Sequence, residues 1–147
     1  MGVACAAPGA DILAHELCSQ LGISSTVCLP MHAKDYARLT FGELDEWRTR
    51  FLHIVEQRNG KVLELSENAG LPRWLYDSQT DPWERGNRWV MQIAQTCGAS
   101  HVTLLALWDK QPQGDGLGGT AHFVQLARDA GNIRIEIIDA NELLAES

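Results

Sequence analysis

The chain of 147 residues has no CxxC pair among its four cysteines, no cluster of basic residues, and no apolar run near the roughly 18 residues that cross a bilayer. Cys5, Cys18, Cys28 and Cys97 stand far apart inside apolar patterns, which argues against zinc or a disulfide framework and for buried free thiols in a reducing compartment. His15, His32, His53, His101 and His122 show no metal-ligand spacing, so surface or capping roles are expected of them, and neither a metal nor a cofactor is expected. Residues 1–10 lack the basic start and long apolar stretch of a secretory leader, so the expected location is cytoplasmic, with no membrane partner. Twelve Lys and Arg against nineteen Asp and Glu leave a net charge of −7, which repels a phosphate backbone and makes nucleic acid a poor partner. One phosphorylated small molecule remains compatible, because a local nest of N–H groups and a single arginine can bind it despite the overall charge.

No repeat, low-complexity tract or linker interrupts the sequence, so residues 1–147 read as one domain, at a length and a 45% hydrophobic content that support a core. Its organising stretch is 101–120. The apolar run Val102 to Trp108 has the length of a strand covered on both faces, and it breaks into a loop with Gly114, Gly116, Gly118 and Gly119. A helix follows over 120–130, with Ala121, Val124 and Ala127 on its sheet side. Strand, glycine loop and helix make an anion-binding arrangement, since glycines let backbone N–H groups approach a ligand and the helix start favours negative charge. A plain surface loop is the alternative.

Earlier in the chain, residues 2–6 read as the tail of a strand or a loop. A helix over 10–21 carries Leu13, Ala14, Leu17, Cys18 and Leu21 on one face. Pro8 and Gly9 shape the turn before it, and Asp11 either caps the helix or lies beside a ligand. Residues 26–29 form a short buried strand stopped by Pro30, and 31–42 form an irregular connection whose Lys34 and Tyr36 are solvated or line a crevice. An amphipathic helix over 44–57 turns Leu44, Trp47, Phe51, Ile54 and Val55 inward, stops at Asn59-Gly60, and leads to a modest strand at 61–65. Residues 66–81, with Trp74 and Tyr76, have no clear period and serve as an aromatic flap or as core cover.

Asp81, Pro82 and Glu84 give the capping pattern of a helix over 83–97, with Gly86, Trp89 or Val90, Ile93, Ala94 and Cys97 buried. Arg85 and Arg88 in its first turns oppose the helix dipole, which either an anion or a salt bridge to Glu84 or Asp81 would offset. After Gly131-Asn132, alternating Ile133, Ile135 and Ile137 mark a strand near a sheet edge, and 141–147 can close in a short helix. Helices alternating with strands at this spacing predict a three-layer Rossmann-like α/β fold with a mostly parallel sheet of about four to five strands.

The order of Cys5-Ala6-Ala7-Pro8-Gly9-Ala10-Asp11, then Asp81-Pro82-Trp83-Glu84-Arg85-Gly86-Asn87-Arg88-Trp89, then Ala106-Leu107-Trp108-Asp109 with Gly114-Asp115-Gly116-Leu117-Gly118-Gly119-Thr120 resembles the SLOG superfamily. These are Rossmann-like domains related to the cytokinin-activating lysine-decarboxylase-like proteins and to the DprA family, and the likeness is closest to domains found in bacterial signalling proteins. The resemblance implies a pocket for a nucleotide or nucleotide-derived ligand, lined by Pro8, Gly9, Asp11, Asn87, Arg88, Asp109, Gly116, Gly118, Gly119 and Thr120. Phosphate or ribose would lie on the backbone of Gly118 to Thr120, with Arg88 as charge partner.

Two departures from the family pattern bear on function. The cytokinin-activating enzymes carry a glutamate shortly after their Gly-Thr, and aligning Gly119-Thr120 on that pair puts Phe123 in its place. A phenylalanine moves no proton, which leaves Glu84 or Asp115 as substitutes. The first strand of the family also looks absent here, as in an N-terminally trimmed domain, and the open edge so left would favour a homo-oligomer. The leading expectation is a non-catalytic ligand sensor serving a fused or associated effector in bacterial signalling or defence. The alternatives are a nucleoside-monophosphate N-glycosidic hydrolase and a structural oligomerisation domain.

Overall fold

A computed structural model describes residues 1–57, 61–66, 81–112 and 116–145. The chain divides into two compact units, Met1–Pro82 and Trp83–Ser147. In each, the strands pair in parallel and helices connect them, so the protein is mixed α/β with a Rossmann-like succession of elements, as the alternation of hydrophobic periods predicts.

The first unit holds β1 (Gly2–Ala4), α1 (Ala10–Gln20), β2 (Ser25–Leu29), α2 (Ala33–Phe41), α3 (Asp45–Glu56) and β3 (Lys61–Glu64), with strand order β1-β2-β3. β2 is central, and Val27, Cys28 and Leu29 are buried on it, as its apolar run requires. The slot ahead of α1 is filled by β1, which pairs Gly2 with Ser25 and Ala4 with Val27, so the strand expected to be missing is present as a three-residue strand. Residues 33–41, expected to be irregular, form α2. The helix eluded sequence reading because its cap is unusual. The His32 Nδ1 accepts the Lys34 N–H, and the Glu64 carboxylate at the end of β3 accepts the Ala33 N–H at 2.8 Å. Tyr36, expected in solvent or a crevice, is buried with Phe41 and Phe51, their ring centroids 5.2 to 6.2 Å apart.

α1 also turns differently from its apolar pattern. Ile12 and His15 face the core, while Leu13, Leu17 and Leu21 are exposed. Burying a histidine is cheap here because both ring nitrogens have partners, the Cys5 carbonyl at 2.8 Å and the Ser25 hydroxyl at 3.1 Å. His15 is therefore a core residue and not the surface or capping group expected. Arg50 joins α3 to α1 through Glu16 (Nε to Oε1, 2.8 Å) and stacks on Trp47. That guanidinium holds the Glu16 carboxyl below its usual range.

The second unit is made of α4 (Pro82–Thr96), β4 (Val102–Trp108), α5 (Thr120–Ala130), β5 (Ile133–Asp139) and α6 (Ala140–Ala145), with β4 and β5 paired in parallel along their full length. α5 packs on both strands and buries Val124 and Ala127. Gly131 ends it with φ 70°, a left-handed value that glycine adopts without strain. β4 departs from the expectation of cover on both faces. Ala106 is buried, but its neighbour Leu105 is 64% exposed, so the strand's two faces are unequally covered. Cys28 is buried, Cys5 and Cys18 are half-buried, and Cys97, expected on the inner side of α4, is exposed; all four are free. Among the described residues no helix is long and apolar enough to cross a membrane. Gly114, Asp115, Asn59-Gly60 and the region of Trp74 and Tyr76 lie outside the described residues.

The aromatic cluster tests this account of the first unit. Phe51→Ala should cost about 3–5 kcal/mol of unfolding free energy in urea denaturation, through lost transfer energy and the cavity left between Tyr36 and Phe41. A loss below about 1 kcal/mol would mean that the cluster does not hold α2 and α3 together.

Candidate anion-binding site

The site is built from the turn between β4 and α5. Gly116 and Gly118 have φ of 94° and 74°, and the Gly119 N–H donates to the Gly116 carbonyl at 3.2 Å, closing a tight turn in front of the helix. Gly118 has a second reason to lack a side chain. A Cβ there would collide with Cβ of Trp83 and lie 2.8 Å from the backbone nitrogen of Glu84, so the turn rests directly on the first turn of α4.

Asn87 fixes that contact. Its amide nitrogen donates to the Gly118 carbonyl at 2.7 Å and lies 3.2 Å from Nδ1 of His122. Nδ1 accepts in this arrangement, so the ring proton sits on Nε2. His122 is half-buried and occupies the third position of α5.

The start of α5 differs from the other helix starts of the chain. α1, α2, α3, α4 and α6 each carry an acidic residue in the first turn. α5 carries none, and its N-cap, Gly119, supplies no side-chain hydrogen bond. The amides of Thr120, Ala121 and His122 thus have no intrahelical acceptor, and the first turn of α5 brings no carboxylate of its own to offset the dipole. Within the same turn the chain also carries the Nε2 proton of His122 and the Thr120 hydroxyl, donors of the kind that a tetrahedral oxyanion accepts.

No protein-family model, curated protein or solved structure matches the chain. The site therefore rests on its own geometry.

Of the residues selected from sequence, Asn87, Gly116, Gly118, Gly119 and Thr120 come together in this one place. Arg88 stands one position beyond Asn87 on α4, is exposed, and makes no hydrogen bond or ion pair with a described residue. Arg85 is the buried arginine of the pair. Asp109 turns back on its own loop, its carboxylate accepting the Gln111 N–H at 3.0 Å and its carbonyl accepting from Asn141. Beside it Lys110 pairs with Asp139 at 2.6 Å, which holds the Asp139 carboxyl below its usual range. Glu84 lies against the turn through its backbone, and Phe123 is half-buried on α5. His122 was missed by sequence reasoning; the signal available was the absence of any carboxylate in the first turn of α5.

Pro8, Gly9 and Asp11 form a separate turn in the first unit. Gly9 is the N-cap of α1 with φ 98°, and Asp11, one residue inside the helix, accepts the Ala7 N–H at 3.1 Å. Asp11 thus folds the preceding turn back on the helix instead of capping it, and its carboxylate stands where an anion would otherwise go. Burial raises the Asp11 pKa against the pull of the Ala7 N–H. Cys5 donates its thiol proton to the Tyr36 hydroxyl at 3.2 Å. Desolvation, with the Asp11 charge nearby, pushes that thiol up to about 12, so it is no nucleophile at neutral pH. A cleft of about 660 Å³ between α1, β2 and α3 is lined by His15, Glu16, Ser25 and His53, and by none of the residues selected from sequence.

Two outcomes follow. Gly118→Ala should destabilise the protein by about 2–4 kcal/mol in chemical denaturation, since the new Cβ meets backbone atoms and the residue holds a positive φ; a neutral effect would mean that the turn does not rest on α4. The second outcome concerns alkali. Below pH 9.0 the Cys5 thiol is neutral whether folded or not, but from 9.0 towards 12 the unfolded chain ionises it while the folded chain does not. Folding stability therefore falls as pH rises through that window, and Cys5→Ala should flatten the decline measured by urea unfolding between pH 8 and about 11. Identical slopes for the two proteins would remove Cys5 from the buried cluster.

Proposed function

We propose that this chain is a sensing domain that binds a nucleotide or nucleotide-derived ligand by its phosphate at the start of α5. Ligand occupancy is passed to a fused or associated effector in a bacterial signalling or defence system. The observation that carries the reading is the pairing of a helix start whose N-cap gives no side-chain bond and whose first turn has no acidic residue with an imidazole whose tautomer Asn87 sets. Three backbone amides, a ring N–H and a hydroxyl match the oxygens of a phosphate monoester or diphosphate, and they do so locally, within a chain of net charge −7.

Binding without turnover is the form of the reading that the residues favour. Phe123 occupies the position where the resembling enzymes have their glutamate, and it neither donates nor accepts a proton. Asp11 lies in the first unit's turn and serves that turn's backbone.

Thermal unfolding of the full chain with nucleoside mono- and diphosphates, cyclic nucleotides and dinucleotide-derived compounds at millimolar concentration tests the proposal. Stabilisation by a phosphate-bearing compound and none by its parent nucleoside is expected. His122→Ala should weaken that binding by about tenfold or more through loss of the ring donor. A flat response to every phosphorylated compound, or unchanged affinity in His122→Ala, overturns the reading.

A further inference from the structure

The second unit's sheet has only two strands, and among the described residues no strand pairs with the outer edge of β5. An open edge of seven residues is a template for pairing with another chain, and proteins that stay single blunt such edges with proline, with charged side chains, lysine above all, or with a bulge. β5 has no proline, lysine or bulge: its sequence is Ile133-Arg134-Ile135-Glu136-Ile137-Ile138-Asp139, and its register with β4 is continuous. Apart from Asp139 at its end, which pairs with Lys110, the edge carries one positive and one negative charge two residues apart, with isoleucines between and around them.

That order is self-complementary. If two β5 strands lie antiparallel with the two-fold axis at Ile135, Arg134 of one strand stands opposite Glu136 of the other, twice over. Ile135 meets its own copy, and Ile133 meets Ile137. Within one chain Arg134 and Glu136 already pair at 2.5 Å, with side chains 76% and 48% exposed, so both are oriented to one face and open to a second strand. Ile137 and Ile138 are among the exposed large hydrophobic residues, and the pairing would cover part of them. Opposite charges directly across an antiparallel pair stabilise it, and like charges there destabilise it.

We propose that β5 is a homodimerisation edge, on which a second copy of this chain pairs antiparallel about Ile135 to join the two β4–β5 sheets into one. The choice of a second copy over another partner rests on this charge complementarity, which a two-fold axis satisfies on both sides simultaneously. One strand edge is a small interface, so the dimer is reversible and dependent on protein concentration.

Sedimentation velocity of the full chain across a concentration series tests the proposal. The wild-type protein should move from a species of 16.2 kDa to one of twice that mass as concentration rises. Arg134→Glu puts two acidic pairs across the axis, Glu136→Arg puts two basic pairs there, and each should weaken dimerisation by about tenfold or more. The double variant Arg134→Glu/Glu136→Arg restores both opposite pairs and should restore the dimer. A wild-type protein that stays monomeric up to hundreds of micromolar, single variants that associate as the wild type does, or a double variant that stays monomeric would each overturn it. Circular dichroism of each variant separates lost pairing from lost folding, and the Glu136→Arg variant keeps the question open to a decision if Arg134→Glu does not fold.

Discussion

The side-chain amide of Asn87 reaches two acceptors at once, the Gly118 carbonyl and the His122 ring, and the arrangement of the second unit's site depends on it. An asparagine amide has two donors, and a neutral imidazole accepts at only one nitrogen. The contact therefore sets three things together: where the glycine turn lies on α4, which way the His122 ring faces, and which ring nitrogen keeps the proton. Because Gly118 has no side chain, the turn can sit against Trp83 and Glu84 at the distance that this contact requires. Beside it stands the half-buried start of α5, whose first amides have no acceptor within the helix and whose first turn carries no acidic residue.

The two glycine turns that follow strands in this chain look alike in sequence but differ in electrostatics. The turn before α1 is closed by a carboxylate of its own, since Asp11 accepts the Ala7 N–H and places negative charge at the helix start. Around it the Cys5 thiol, the Tyr36 hydroxyl and the His15 ring form a desolvated polar cluster in which each group has a partner. Such a cluster favours rigidity, and burial holds the Cys5 thiol and the Tyr36 hydroxyl in their protonated forms. The first turn of α5 carries no acidic residue, and Asn87 turns the His122 ring so that its Nε2 N–H is left to donate. One glycine turn thus has a carboxylate of its own at the helix start, and the other has none in its helix's first turn.

Much of the fold was legible in the sequence. The periods of residues 102–108 and 120–130, the Asp81-Pro82 start of α4 and the alternation of β5 match the observed elements within a residue or two. Of the site, the glycines and Asn87 were legible because turn chemistry and spacing mark them. Three features were not. α2 escaped because its cap comes from His32 and from Glu64 on β3, residues brought together only by folding. α1 turned a different face inward because His15 found two partners distant from it in sequence, which made burial of a polar ring affordable and left Leu13, Leu17 and Leu21 outside. His122 escaped because its role depends on Asn87, 35 positions earlier.

The sequence by itself determined the class of protein, through hydrophobic periods that are properties of neighbouring residues, and it marked where backbone must approach backbone, through glycines whose lack of a Cβ is local information. Tertiary structure decided which polar groups hydrogen-bond to one another, as His15 does to Cys5 and Asn87 to Gly118. Hydrogen bonds between residues tens of positions apart leave no period in the chain, and only their satisfaction or absence in space separates a buried structural group from an available one.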